Sequence, residues 1–133
     1  MSIRKNALLF ASVALLAACG GGVDLSEKGS NGACGAAEYF YSLLSKGDGV
    51  AYVENMQEAY EMDSCMHVQF VALMDQFLYE EKHLRGGILS AKASSDSLID
   101  SVAYVSLDVL FGDSTREEVI LPVVYTCGRW WVK

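Results

Sequence analysis

AYVSLDVLFGDST, residues 103–115, decides the fold class of this chain. Ala103, Val105, Leu107, Val109 and Phe111 alternate with Tyr104, Ser106 and Asp108. Side chains of an extended chain point alternately to opposite faces, so this period of two marks a strand with one buried face. Gly112-Asp113-Ser114 then reads as a hairpin turn. Downstream, Glu117 to Thr126 forms a further strand, in which Pro122 implies a bulge or an unpaired edge position. Cys127-Gly128 turns the chain into a short last strand, Arg129 to Lys133. Trp130 and Trp131 point to its opposite faces, one entering the core and the other lying outside or at a cavity rim. Upstream, Leu89, Ala91 and Ala93 alternate with Ser90, Lys92 and Ser94, giving the first strand of the set.

Before Gly86-Gly87 the period is helical. Met66, Phe70, Leu73, Met74 and Phe77 set an apolar face for a helix over about Cys65 to Leu84, capped by Asp63 or Ser64. A shorter helix is expected from Val50 to Tyr60, with Tyr52, Val53 and Met56 on one face. A first helix runs from Gly35 to Lys46 on Ala36, Phe40, Leu43 and Leu44, and Gly47-Asp48-Gly49 ends it. Helices followed by an antiparallel meander give an α+β class: three N-terminal helices packed on a curved antiparallel sheet of about four strands.

The front of the chain is different in kind. Arg4 and Lys5 precede an apolar run from Ala7 to Ala18, about a dozen residues and too short to cross the roughly 30 Å hydrocarbon core of a bilayer. The run ends in Leu16-Ala17-Ala18-Cys19, which resembles the lipobox of bacterial lipoproteins. That resemblance implies cleavage between Ala18 and Cys19, acyl chains such as palmitate on Cys19, and a membrane as the partner the lipid reaches. It also implies a site in the bacterial envelope facing the periplasm. Gly20 stands where the sorting rule for inner-membrane retention has Asp, which favours the outer membrane. Residues 1–18 are thus a signal peptide, 19–33 a lipidated cysteine and flexible tether rich in Gly and Ser, and 34–133 one domain.

Charge narrows the partners. The chain of 133 residues carries a formal charge of −7, and losing Arg4 and Lys5 with the leader moves it to −9. An acidic domain of this kind repels phosphate backbones, so nucleic acid is not a partner, and membrane attachment rests on lipid rather than on a basic patch. Cys34, Cys65 and Cys127 remain in an oxidising compartment. Two helices of roughly 17 Å folded as a hairpin would bring Cys34 back to Cys65, with Cys127 as a rival partner to either and three reduced thiols as the alternative. No cysteine pair has the spacing of a metal knuckle, and no cofactor motif is present.

"FYSLLSKGD", Phe40 to Asp48, and the closing "GRWWVK", Gly128 to Lys133, resemble small bacterial lipoproteins of the cone-shaped nuclear-transport-factor-two-like superfamily. The resemblance implies a cavity between sheet and helices, lined here by Phe40, Phe70, Phe77, Leu107 and Trp130. It implies a non-catalytic domain that binds a small apolar ligand or an envelope protein. The alternative is a ketosteroid-isomerase-like enzyme, with Asp108 or His67 as base and one of the seven tyrosines as donor. Asp108 on a polar strand face, and His67 beside Met66 and Val68, are more simply a solvated carboxylate and a structural histidine.

Overall fold

The computed structural model describes residues 24–133, so Ala18, Cys19 and the leader lie outside the described residues. Four antiparallel strands form one sheet in chain order: β1 (Ile88–Ile99), β2 (Val102–Phe111), β3 (Arg116–Thr126) and β4 (Arg129–Val132). The alternating row on β2 faces the core as its period requires, with Val105, Leu107 and Val109 fully buried. Three helices precede the sheet: α1 (Gly29–Ser45), the single-and-a-half-turn α2 (Gly49–Glu54) and α3 (Ser64–Arg85). Ala33, Ala36, Ala37, Phe40 and Leu44 put one stripe of α1 onto that β2 row. The three alanines let the helix axis come close, and Phe40 fills the space beneath it.

α1 begins at Gly29, inside the stretch expected to be a tether. Three successive carbonyls upstream are held by the end of the sheet. Leu25 O accepts from the Trp130 backbone N–H at 2.9 Å, Ser26 O from the Tyr125 hydroxyl at 2.8 Å, and Glu27 O from Trp130 Nε1 at 2.7 Å. Tyr125 and Trp130 meet edge to face at 5.2 Å. Gly32 sits in this contact, where an added Cβ would fall 1.7 Å from Glu27 O. Composition signalled flexibility here; backbone acceptors, which composition does not show, override it.

The second expected helix divides. α2 stops at Glu54 and a 3-10 turn covers Gln57–Glu61. Between them Asn55 O accepts from Val132 N at 2.8 Å and Met56 pairs in parallel with Val132, so this backbone serves the sheet edge and cannot stay helical. The 3-10 turn also lies beside Trp131, which is buried rather than exposed, with the Arg129 guanidinium 3.8 Å over its ring. α3 matches its expected span, with Asp63 accepting from Met66 N at 2.8 Å and Gly86 closing it at φ 79°.

β1 carries two register shifts against β2, one between Ile88 and Ser90 and one between Ala93 and Ser95. The first turns Ile88 into the core and Leu89 out to solvent, although Leu89 shares its parity with the inward Ala91 and Ala93. On the open side of β1, the Ala93 N–H donates to Glu38 Oε2 at 2.7 Å. Pro122 sits in β3 without a bulge, opposite Tyr104. Its carbonyl accepts from Lys133 N at 3.0 Å, so its missing donor falls on the β4 side, beyond the last paired residue Val132, and the β2 ladder loses nothing.

The expected Cys34–Cys65 bridge is absent, and Cys34, Cys65 and Cys127 are free thiols. The hairpin argument needed two helices of equal length; a 17-residue α1 and a 6-residue α2 do not return the chain to its start. Two substitutions grade these contacts. Gly32→Ala should lower unfolding stability by about 1–3 kcal/mol through overpacking, and Leu107→Ala by about 2–5 kcal/mol, both read by urea denaturation.

Candidate functional site

The residues expected to line a cavity are not brought together around one. Phe40, Leu107 and Trp130 meet in a single core cluster, and Phe40 and Leu107 have no exposed surface at all. A water-sized void against either ring or side chain would leave accessible surface, so that contact is filled. Phe70 and Phe77 lie on α3, outside the cluster. Among the described residues there are open grooves. One of about 500 Å³ runs between the end of α1 (Leu44 to Gly47), Asp75, Leu78 and Lys82 of α3, and Ile88 and Leu89. Another of about 300 Å³ lies between His67, Glu54, Arg129 and Trp131.

The catalytic candidates do not converge either. Asp108 is half-buried on the sheet face away from α1, where its Oδ2 accepts from Arg116 Nη1 at 2.8 Å. His67 borders the smaller groove beside Trp131. Two buried tyrosines among the described residues are Tyr41 and Tyr52. Burial, then the neighbouring Tyr41, pushes the Tyr52 hydroxyl up to about 12. Burial, then the carboxylates of Glu117 and Glu81, raises Tyr41. Those carboxylates are engaged: Arg85 Nη2 donates to Glu81 Oε1 at 2.8 Å and to Glu117 Oε1 at 3.1 Å, while its guanidinium lies 3.7 Å over the Phe111 ring. Both carboxylates are thus bound to one guanidinium, and the cluster ties the last turn of α3 to β3 at the end of the core. Sequence reasoning missed it. The four-residue spacing of Glu81 and Arg85 was a visible signal for one half, and Glu117 arrives from 32 residues on.

α3 is the unusual element. Its 22 residues include none that is buried. Only Met74 and Leu78 pack against the core. Met66, Leu73, Phe77 and Leu84 are 48%, 62%, 37% and 76% exposed. With the partly covered Phe70 they recur at steps of four, three, four and seven, which places them on one stripe of the helix. The sequence showed the stripe; what it could not show is that the sheet is already covered by α1.

No protein-family model matches this sequence, and none of the curated proteins compared with it matches. Among solved structures, a Campylobacter jejuni protein described as an NTF2-like transpeptidase superposes with a TM-score of 0.59 over 73% of this chain and 93% of its own. The fold is NTF2-like. At 13% identity the likeness carries the architecture alone, and the sheet with its preceding helices is that architecture.

Within the NTF2-like domain the thiols differ in setting. Cys34 is half-buried, and burial, then the carboxylate of Asp96, raises its pKa, while Cys65 and Cys127 are exposed. Alkylation of the folded protein with iodoacetamide should label Cys65 and Cys127 first and Cys34 last, as read by peptide mass spectrometry. The Tyr52 hydroxyl, pushed up to about 12 in the folded protein from its ordinary 10.0, favours the native state in its neutral form. That contribution is present below pH 10 and is lost as pH rises towards 12. Phenolate absorbance should therefore show Tyr52 ionising late, together with loss of near-ultraviolet circular dichroism.

Proposed function

We propose that this chain is an envelope lipoprotein, anchored through acylated Cys19, whose domain docks a partner protein on the exposed stripe of α3. The reading is non-catalytic. It is carried by one observation: a 22-residue helix with no fully buried residue, which presents Met66, Leu73, Phe77 and Leu84 to water along one line. A soluble domain does not expose such a stripe without cost, and helix-in-groove recognition uses anchors at this spacing. The partner this stripe fits presents an apolar groove. The filled contact between Phe40 and Leu107 weighs towards a partner protein and away from a small apolar ligand carried inside. The anchor rests on the lipobox-like Leu16-Ala17-Ala18-Cys19 and on an acidic surface that leaves lipid as the means of attachment.

Two measurements test this reading. Cells fed labelled palmitate should mark the wild-type protein and leave Cys19→Ala unmarked; an unlabelled wild type ends the anchor. A photo-crosslinking residue at Leu73 or Phe77 should capture one defined envelope protein. The double variant Leu73→Glu, Leu84→Glu should lose that capture while its stability stays within about 0.5 kcal/mol of wild type, since both sites are exposed. Capture that survives the double variant places docking elsewhere.

A further inference from the structure

The tip of the first hairpin is apolar. β1 and β2 are joined by Asp100 and Ser101, both at positive φ (51° and 70°), as a two-residue hairpin turn requires. Immediately before them Leu98 and Ile99 are 72% and 57% exposed. Among the described residues nothing covers them: the first turn of α1 reaches β1 at Asp96, where Ser30 Oγ donates to Asp96 Oδ1 at 2.5 Å.

The chain leaves the domain at the same end. Ile99 pairs with Val102, Val102 with Val124 and Val124 with Trp131, so these residues form one row across the sheet. Trp130, which holds Leu25 O and Glu27 O, pairs with Tyr125 one step beyond that row, at the level of the Asp100–Ser101 turn. Three strand spacings, about 14 Å in all, separate the row's ends on β1 and β4. Residues 25–27 being fixed to the sheet, only the span from Cys19 to Asp24 is left to reach an anchor. Its covalent geometry allows at most ~18 Å fully extended. A fourteen-residue tether would have left orientation free. This one does not: the opposite end of the sheet, at Gly86 and Gly112, is about 30 Å away along β2.

We infer that the Leu98–Ile99 hairpin tip rests in the interface of the membrane to which Cys19 is anchored, as a second, apolar contact beside the lipid. The inference rests on the lipoprotein reading above. Tyr104, exposed on the neighbouring strand opposite Ser97, is placed to join the contact at headgroup level. Around the tip stand Asp96, Asp100, Asp24 and Glu27 against Lys28, Arg129 and Lys133, a slightly acidic balance. The contact therefore suits zwitterionic headgroups and is weakened by anionic ones.

The test uses the full lipidated chain, extracted from envelopes and reconstituted in phosphatidylcholine vesicles whose acyl chains carry bromine near the headgroup. The Leu98→Trp variant should lose about half its added emission, since an interfacial side chain enters the acyl boundary by ~5–10 Å. Leu84→Trp is a control of equal exposure at the far end and should lose little. Ile99→Trp repeats the measurement if the first variant disturbs the hairpin. Exchanging part of the lipid for phosphatidylglycerol should reduce the quenching of Leu98→Trp. Equal quenching of Leu98→Trp and Leu84→Trp in palmitate-labelled protein overturns the inference and leaves the anchor standing; so does quenching that grows with phosphatidylglycerol. A chain that carries no palmitate overturns the anchor, and the hairpin contact with it.

Discussion

Three carbonyls in succession, Leu25, Ser26 and Glu27, end on groups of Tyr125 and Trp130. That clamp joins residues 25–27 to β3 and β4, about a hundred positions away in sequence. α1 follows directly from it and is laid across the sheet with Ala33, Ala36 and Phe40 downward. Were the segment free, α1 would keep its apolar stripe but lose its fixed starting point. The indole of Trp130 does two jobs here, since its ring enters the core while its N–H donates to the Glu27 carbonyl.

The covering of the sheet by α1 explains why α3 is so exposed. α1 crosses the core-facing side of the sheet, nearest to β1 and reaching β2, β3 and β4, and sets Ala33, Ala36, Ala37 and Phe40 into the core. α3 packs along α2, where Met74 and Asp75 lie against Gly49, and is tied down at both ends. Asp63 caps its start, Met74 and Leu78 pack inward, and Arg85 ties its last turn to Glu117 and Phe111. An element fixed in this way keeps its place while presenting most of its circumference, an arrangement suited to recognition by another surface.

The strands were the most legible part of this chain, because a period of two on Ala103 to Phe111 can be satisfied only by a half-buried strand. α3 was legible in extent, from its Asp63 cap to Gly86, but not in orientation: a stripe of Met66, Leu73 and Phe77 looks the same whether a core or a partner covers it. Glycines at 29, 32 and 35 hid the start of α1, since the local preference against helix is outweighed by carbonyl partners supplied from β3 and β4. Leu89 was assigned to the wrong face because a register shift changes parity without leaving any mark in composition. The five residues expected to line a cavity were each apolar, and apolarity alone does not separate a filled core (Phe40, Leu107, Trp130) from an outer helix (Phe70, Phe77).

Glu38 carries one more consequence. By accepting the outward N–H of Ala93 it removes a donor from the unpaired rim of the sheet, and the two irregularities in β1 interrupt the even spacing of what remains. A twelve-residue border strand would otherwise be a template on which neighbouring copies could stack into ordered aggregates. One carboxylate, reaching sideways from a helix, makes that polymerisation harder to start.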